Sequence, residues 1–432
     1  MKLSFIGAGY VGLVSAAGYS RLGNESACID LDANKVKQIN RGIPPIYEEG
    51  LEALLKKLVA EKKLGATQEY SGASDSEVIF ICVGTPSRKD GSADLGYVQA
   101  CAKQIGKELK NTKKFVAVVV KSTVVPGTTA DIVLPILEKE SGKVAGKDFG
   151  IAMMPEFLKE GTALEDFSNP DRIIIGCEDR KTLEILRKLH SNFKCPILEV
   201  PIPAAEMIKY ASNSFLATKI SFINFLANLC EKTGVDIDEV ARGMGLDSRI
   251  GKHFLKAGPG FGGSCFPKDV KALMAFSEEK GIESLILEAV LEINYLQPMR
   301  MIELASEEIE LKGKKVAVLG LAFKPDTDDV RESPAIPVVK ELERIGCKIF
   351  AYDPKASENF RKLFPKISYA ASMAAALKET EACFIVTDWE EFKKPLGYYE
   401  SLMKYPLIID SRRILDLNGR KKAIYKAIGK KA

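Results

Sequence analysis

Histidine is nearly absent from this chain: His190 and His253 are the only two in 432 residues. With so few imidazoles, a His-ligated metal, a serine triad or a histidine proton relay is a poor starting assumption. The nine cysteines are odd in number, scattered and without a C-x-x-C pair, which argues against a disulfide framework or a zinc site and for a reducing compartment. Net charge is only +4, so nothing points to nucleic acid as a partner. No long hydrophobic run exists either. The most apolar stretch, residues 215–230, is interrupted by Lys219, Asn224 and Asn228, so no membrane span is expected. The chain opens on a strand-like MKLSFIGAGY rather than a charged leader with an apolar core. A cytoplasmic location is the expectation, and the basic end KKAIYKAIGKKA reads as a frayed, solvated tail.

What is present begins with a short apolar strand over residues 3–6, followed by Gly7, Ala8, Gly9, Tyr10, Val11 and Gly12. A helical pattern follows, then a second strand ending at Asp30. That context turns a weak G-x-G-x-x-G string into a dinucleotide-binding fingerprint. The first glycine permits the tight turn, the second lets the backbone approach a pyrophosphate, and the third lets helix and strand pack. Asp30 suits ribose hydroxyls and repels a 2′-phosphate, so NAD is expected over NADP.

Further strands alternate with helices, which predicts a parallel doubly wound sheet whose ligands lie beyond the carboxyl ends of its strands. Thr85, Pro86, Ser122 and Thr123 fall at such ends. Their hydroxyls suit a nicotinamide ribose or an ordered water equally with plain capping of strand ends. Pro155 is expected to start a short helical turn that places Glu156 and Glu160 on one face, either for acid–base work or as a solvated helix start. A long helix is expected from residue 204 to about 232, apolar around most of its circumference and therefore buried between domains or subunits. Lys209 and Asn213 share one of its faces, and a lysine on a buried helix needs a partner or a task.

Residues 258–270 read GPGFGGSCFPKDV. They set Cys265 between a glycine-rich loop and a helix start, beside Lys268, where a thiolate nucleophile is favoured. Taken alone, the loop fits a small buried apolar cysteine at least as well. Arg249 and Lys256 make the preceding segment cationic and suited to phosphate. From residue 314 the strand–helix alternation restarts without a three-glycine turn, so its crevice should take a ligand other than NAD. Lys324, Arg331 and Arg413 near its strand ends suit phosphate, or are ordinary surface charges.

Several long motifs in order resemble the UDP-glucose/GDP-mannose dehydrogenase family of nucleotide-sugar 6-dehydrogenases. They are GAGYVG (7–12), ICVGTP (81–86), KSTVVPGT (121–128), PEFLKEGTA (155–163), AEMIKYASNSF (205–215), GFGGSCFPKD (260–269) and LGLAFKPDTDDVRESPA (319–335). The resemblance implies an α/β chain of two Rossmann-like doubly wound domains joined by an all-helical central dimerisation domain with a long helix. Its expected segments are residues 1–198, 199–311 and 312–432. It implies a four-electron oxidation of a sugar C6 alcohol with NAD, through a thiohemiacetal and a thioester on Cys265. On the same grounds, Lys209 and Asn213 stabilise the oxyanion, Asp269 with a water held by Thr123 assists proton removal, and Glu156 serves thioester hydrolysis. The cofactor falls to Asp30, Lys35, Thr85, Glu160, Lys268 and Arg331. The sugar nucleotide falls to Glu156, Phe157, Leu158, Lys159, Glu160, Lys256, Gly258, Gly260, Phe261, Gly262, Lys324 and Arg413, with Arg249 donated by a neighbouring subunit of a homodimer. The run SRIGKHFLKAGPGFGGSCFPKD favours UDP-glucose; GDP-mannose, and a non-catalytic sugar-nucleotide or NAD binder, are the alternatives.

Overall fold

A computed structural model describes residues 1–418 and 422–430. The chain is α/β, with a Rossmann-like sheet towards each end and helices between them. It divides into two compact units, Met1–Ser212 with Lys271–Phe276, and Asn213–Val270 with Ser277–Ala432.

In the first unit the strands are β1 (Lys2–Ile6), β2 (Glu25–Ile29), β3 (Leu64–Thr67), β4 (Val78–Ile81), β5 (Ala117–Val120), β6 (Gly150–Met153), β7 (Ile173–Cys177) and β8 (Ile197–Val200). They lie in the order β3-β2-β1-β4-β5-β6-β7-β8. All neighbours run parallel except β6 and β7, an antiparallel pair that the expected parallel sheet did not include. β4, β5 and β6 are buried along their whole length. Such β-branched runs, VIFI and AVVV, fit a strand covered on both faces by helices. Strand order reverses between β1 and β4, and sheets of this kind take their ligands at the carboxyl ends beside such a switch point.

The expected helical turn after Pro155 does not form; residues 154–159 carry no regular structure. The Glu156 carboxylate instead accepts the Leu158 N–H at 2.6 Å, a local bond that competes with a helical start. Glu156 and Glu160 therefore do not share a helix face.

The long helix runs from Ile202 to Thr233. Residues 283–311 hold two helices, Leu285–Leu296 and Met299–Ser306, broken at Pro298 where a ring cannot continue the ladder.

The second sheet, in the second unit, is built from β9 (Lys315–Leu319), β10 (Lys348–Tyr352), β11 (Ser368–Tyr369), β12 (Ala382–Ile385), β13 (Leu407–Asp410) and β14 (Ile424–Ala427). Its order is β11-β10-β9-β12-β13-β14, parallel throughout. β14 belongs to the segment read as a frayed tail. Its alternation of half-buried and buried residues and its pairing with β13 make it an edge strand. No helix among the described residues is long and apolar enough to cross a membrane.

Candidate active site

The first unit builds a dinucleotide cradle from the turn after β1. The Gly7 N–H donates to the Ile29 carbonyl and the Ala8 N–H to Asp30 Oδ2, both at 2.8 Å. This ties the turn to the end of β2. The next helix, Tyr10–Arg21, has Gly9 as its N-cap and no side-chain cap, so its first N–H groups suit an anion. A Cβ on Gly9 would have nothing within 4 Å, whereas one on Gly12 would lie 1.9 Å from the Gly7 carbonyl oxygen. The turn is thus open where a pyrophosphate would approach and closed where helix meets strand. These residues fit NAD. Asp30 Oδ1 also accepts the Asp32 N–H at 3.0 Å, and Lys35 Nζ stands 3.7 Å from Asp30. Val11 follows on the helix and is half-buried.

At the neighbouring strand ends, Thr85 Oγ1 donates to the Thr123 carbonyl at 2.8 Å and Ser122 Oγ to the Val83 carbonyl at 2.7 Å. Both hydroxyls therefore fasten the ends of β4 and β5 together; Pro86 beside them is exposed. Lys121 is buried just before them. Burial pulls its ammonium below the usual lysine range; the Cys82 and Glu156 charges work against that shift and Lys209 works with it.

A buried ion pair stands beyond β6. Lys209 Nζ donates to the Glu156 backbone oxygen at 2.7 Å and to Oε1 at 3.1 Å. The two side chains are only 5% and 8% exposed, so each charge depends on the other. Phe157 separates this pair from Arg172, whose guanidinium lies 3.9 Å from the ring centroid. Lys159 turns outward to Asp166 at 2.9 Å, and Leu158 and Glu160 are half-buried. Two groups here escaped the sequence reading. Glu206, fully buried, accepts the Gly127 and Thr129 N–H groups at 2.7 and 2.8 Å and fixes the long helix to the turn after β5. Glu48 is equally hidden. Neither stands out in the sequence as a site residue: Glu206 stands between Ala205 and Met207 on the long helix, and Glu48 in a short loop before the helix Leu51–Ala60, where an acid reads as solvated.

In the second unit, Cys265 precedes the helix Phe266–Glu279, and its carbonyl accepts the Asp269 N–H at 2.8 Å. Cys265 is therefore the residue at the helix entrance, and of the nine cysteines it alone is exposed. Asp269 is almost fully buried. It accepts from Asn213 Nδ2 at 2.6 Å and pairs with Lys268. The spacing of Lys209 and Asn213 thus sends one to Glu156 and the other, a turn later, to Asp269.

The loop before the cysteine is shaped by close backbone approach. A Cβ on Gly262 would lie 2.2 Å from the Glu332 carbonyl oxygen, and the Gly263 N–H donates to the Arg331 carbonyl at 2.8 Å. Phe261 is clamped by Asn294, whose Oδ1 accepts its N–H at 2.7 Å; Gly260 beside it has a φ of +102°. Gly258 donates to Asn224 Oδ1 at 2.8 Å, and a Cβ there would meet Arg412 Nη1 at 3.2 Å. Lys256 pairs with Asp388 at 3.1 Å. Burial would raise the Asp388 carboxyl, but Arg412 and Lys256 beside it prevail and hold it below its usual range.

Three expected anion contacts stand elsewhere. Arg413 is turned into Asp236, at 2.6 Å, and Asp238, so its guanidinium is used inside the fold; the adjacent Arg412 is the one beside Gly258. The expected contact, Arg413, thus stands one residue from the arginine that borders the glycine loop, a difference that register alone decides. Arg331 is exposed and pairs with Asp329 at 2.7 Å, and Arg249 is exposed and pairs with Asp247 at 2.6 Å. Lys324 is half-buried with its ammonium 5.6 Å from the Phe323 ring centroid.

Three family models match the chain in succession, all of the UDP-glucose/GDP-mannose dehydrogenase family. They are its NAD binding domain over residues 1–194, its central domain over 203–295 and its UDP binding domain over 317–417. The UDP-glucose 6-dehydrogenase AglM of Haloferax volcanii is 44% identical over 420 residues, covering 96% of this chain and 97% of its own. The UDP-glucose 6-dehydrogenase TuaD of Bacillus subtilis is 43% identical over 438 residues, covering 100% and 94%. Among solved structures, a UDP-glucose dehydrogenase from the hyperthermophilic archaeon Pyrobaculum islandicum superposes with a TM-score of 0.92 at 39% identity, covering 99% of this chain and 98% of that one.

Proposed function

From the premise that the chain belongs to the UDP-glucose/GDP-mannose dehydrogenase family and is an NAD-dependent dehydrogenase, we propose that it oxidises the C6 alcohol of UDP-glucose to the carboxylate of UDP-glucuronate. NAD, when bound, accepts a hydride in each of two oxidations, so two are consumed per sugar. Gly7, Gly9, Gly12 and Asp30 hold it.

The remaining chemistry belongs to the chain's own side chains. Asp269 takes the proton of the C6 alcohol as the aldehyde forms, and the family resemblance gives Thr123 a water that serves this step. The Cys265 sulfur then adds to the aldehyde carbon, giving a thiohemiacetal that is again an alcohol at C6 and can be oxidised to a thioester. Lys209 and Asn213 are fixed donors for the oxyanion. Glu156 takes a proton from the water that attacks the thioester carbon; the C–S bond breaks, and thiol and carboxylate are released. The observation that carries this reading is the exposed thiol of Cys265 at a helix entrance, one turn from the buried Asp269 carboxylate. The loop of residues 258–263, with Lys256, Lys324 and Arg412, takes the UDP-sugar.

The reading extends to the assembly. We infer three segments, residues 1–198, 199–311 and 312–432, and a homodimer joined through the middle one, with Arg249 reaching the partner's sugar site. Its support is the long helix, whose Phe215, Phe222, Phe225 and Leu229 remain exposed along one face. A nucleophilic thiol also needs reducing surroundings, which supports a cytoplasmic location.

Counting NADH released from UDP-glucose, GDP-mannose and UDP-N-acetyl-mannosamine tests the reaction. Two per UDP-glucose, with the other sugars poor, supports it; one per sugar would sink the covalent step. Cys265→Ser should stop acid formation while leaving NAD binding intact, and undiminished turnover in that variant would refute the thioester.

A further inference from the structure

The segment PIYEEG reads as a polar loop leading into a helix, yet Glu48 within it is only 5% exposed. Its carboxylate is served by donors from two distant stretches. Oε2 accepts the Gly161 N–H at 2.8 Å, Oε1 accepts the Leu164 N–H at 3.3 Å, and the Tyr10 hydroxyl donates to Oε2. The same Tyr10 oxygen accepts from the Gly161 N–H at 2.8 Å, closing a three-membered ring of hydrogen bonds. Burial, followed by the Glu48 bond, pushes the Tyr10 phenol well above its usual range, with Glu160 adding to the effect. The phenol therefore stays a donor at any working pH.

These contacts join two parts of the first unit that chemistry treats separately. Tyr10 is the first residue of the helix whose entrance faces the dinucleotide, directly after Gly9. Gly161 lies in the turn that ends the irregular stretch holding Glu156, and Leu164 lies in the first turn of the helix Ala163–Ser168 that follows. Between them, Glu156 is held by Lys209 and by its own bond to Leu158, and the Lys159 N–H donates to Asp166 Oδ2 at 2.9 Å. A stretch without regular structure has no ladder of its own to keep it in place. Of its anchors, the Gly161 N–H is the one held by Glu48 and Tyr10, and so the one tied to the dinucleotide-binding helix.

We propose that Glu48 and Tyr10 are positioning residues that pin the Glu156–Glu160 segment to the first turn of the dinucleotide-binding helix. Occupancy of the turn and alignment of the Glu156 carboxylate then depend on each other. This rests on the assignment of thioester hydrolysis to Glu156 made above. The Tyr10 hydroxyl, in the middle of the glycine motif, thus acts through the protein, on the loop that follows β6.

Tyr10→Phe, Glu48→Gln and the double variant are compared with the unaltered chain by steady-state kinetics, thermal melting and intact-mass analysis of acid-quenched turnover. Each single change should raise the KM for NAD and lower kcat by about tenfold, leaving the KM for UDP-glucose within about twofold. Sugar-linked protein should accumulate at quench, because hydrolysis is slowed. The double variant should be no worse than the poorer single one, since both remove one linkage. Kinetic constants within about twofold of the unaltered chain, whatever the melting temperature does, would overturn the proposal, as would losses that multiply. Tyr10→Phe keeps the ring, so it decides the matter if Glu48→Gln does not fold. If Cys265→Ser retains full turnover, the mechanism itself is wrong; if it is inactive and Tyr10→Phe behaves as the unaltered chain, only the linkage is.

Discussion

The turn after β1 and the turn after β9 begin from the same backbone and end in opposite uses. Gly7 and Gly320 both have positive φ, +98° and +90°, and both donate to the last carbonyl of the neighbouring strand, Ile29 at 2.8 Å and Tyr352 at 2.9 Å. In both, an aspartate just past that strand accepts the next N–H: Asp30 from Ala8, Asp353 from Leu321 and Ala322. There the likeness stops. Asp353 is 3% exposed and also accepts from Trp389 Nε1 at 3.0 Å and from the N–H groups of Lys355 and Ala356. Thr387 fills the space over Gly320, where a Cβ would come within 2.4 Å of its own. Gly7 is closed as well, by the Cys82 carbonyl oxygen at 2.9 Å, but Asp30 keeps a partly exposed side chain, and the space over Gly9, two residues on, is empty of protein. One strand–turn–strand frame can hold an anion site or a sealed core. The choice lies in what satisfies the remaining lone pairs of one carboxylate.

Replacing each acid should expose this division of labour. Asp353→Ala should cost the most, about 4 kcal/mol of stability in denaturant titration, because it orphans several buried donors at once. NAD affinity should be unchanged by it; a matching loss of NAD binding would break the contrast. Acid should separate the two regions next. Burial pulls His190, whose Nε2 lies 2.6 Å from the Tyr19 hydroxyl, from 6.5 to about 4, while His253 in the second unit is exposed. The unfolded chain binds the extra proton first. Stability of the first unit should therefore fall as pH drops below 6.5 and level off near 4, by about 3 kcal/mol in all. His190→Gln should flatten that slope in melts taken across the window. Gly12→Ala, which drives a Cβ onto the Gly7 carbonyl, should weaken NAD by about a hundredfold in calorimetric titration. Asp30→Ala should weaken it only about tenfold and narrow the preference over NADP, with melting temperature nearly unchanged.

Much of this was legible because local chemistry dictated it. The strand, glycine turn and terminal acid of residues 3–30 follow from periodicity and sterics, and so does the helix entrance at Cys265. The misses were of another kind. Glu48 and Glu206 look like solvated helix acids until the fold brings N–H groups from Gly161 and Gly127 to them. Arg412 and Arg413 are indistinguishable by type, and only the turn after β13 sends one to Gly258 and the other to Asp236. The helical turn expected at Pro155 lost to a carboxylate that bonds its own backbone two residues on. Residues whose partners lie far along the chain need the fold to be read.

The unequal burial of the nine cysteines has a practical consequence. An alkylating reagent at neutral pH meets one accessible sulfur before any other, so a brief exposure to iodoacetamide yields a single carbamidomethyl group per chain. On the proposed mechanism turnover should fall in step with that mass increment and UDP-glucose should slow the labelling; full turnover after complete labelling would refute the role of Cys265. The chain thus carries its own stoichiometric tag.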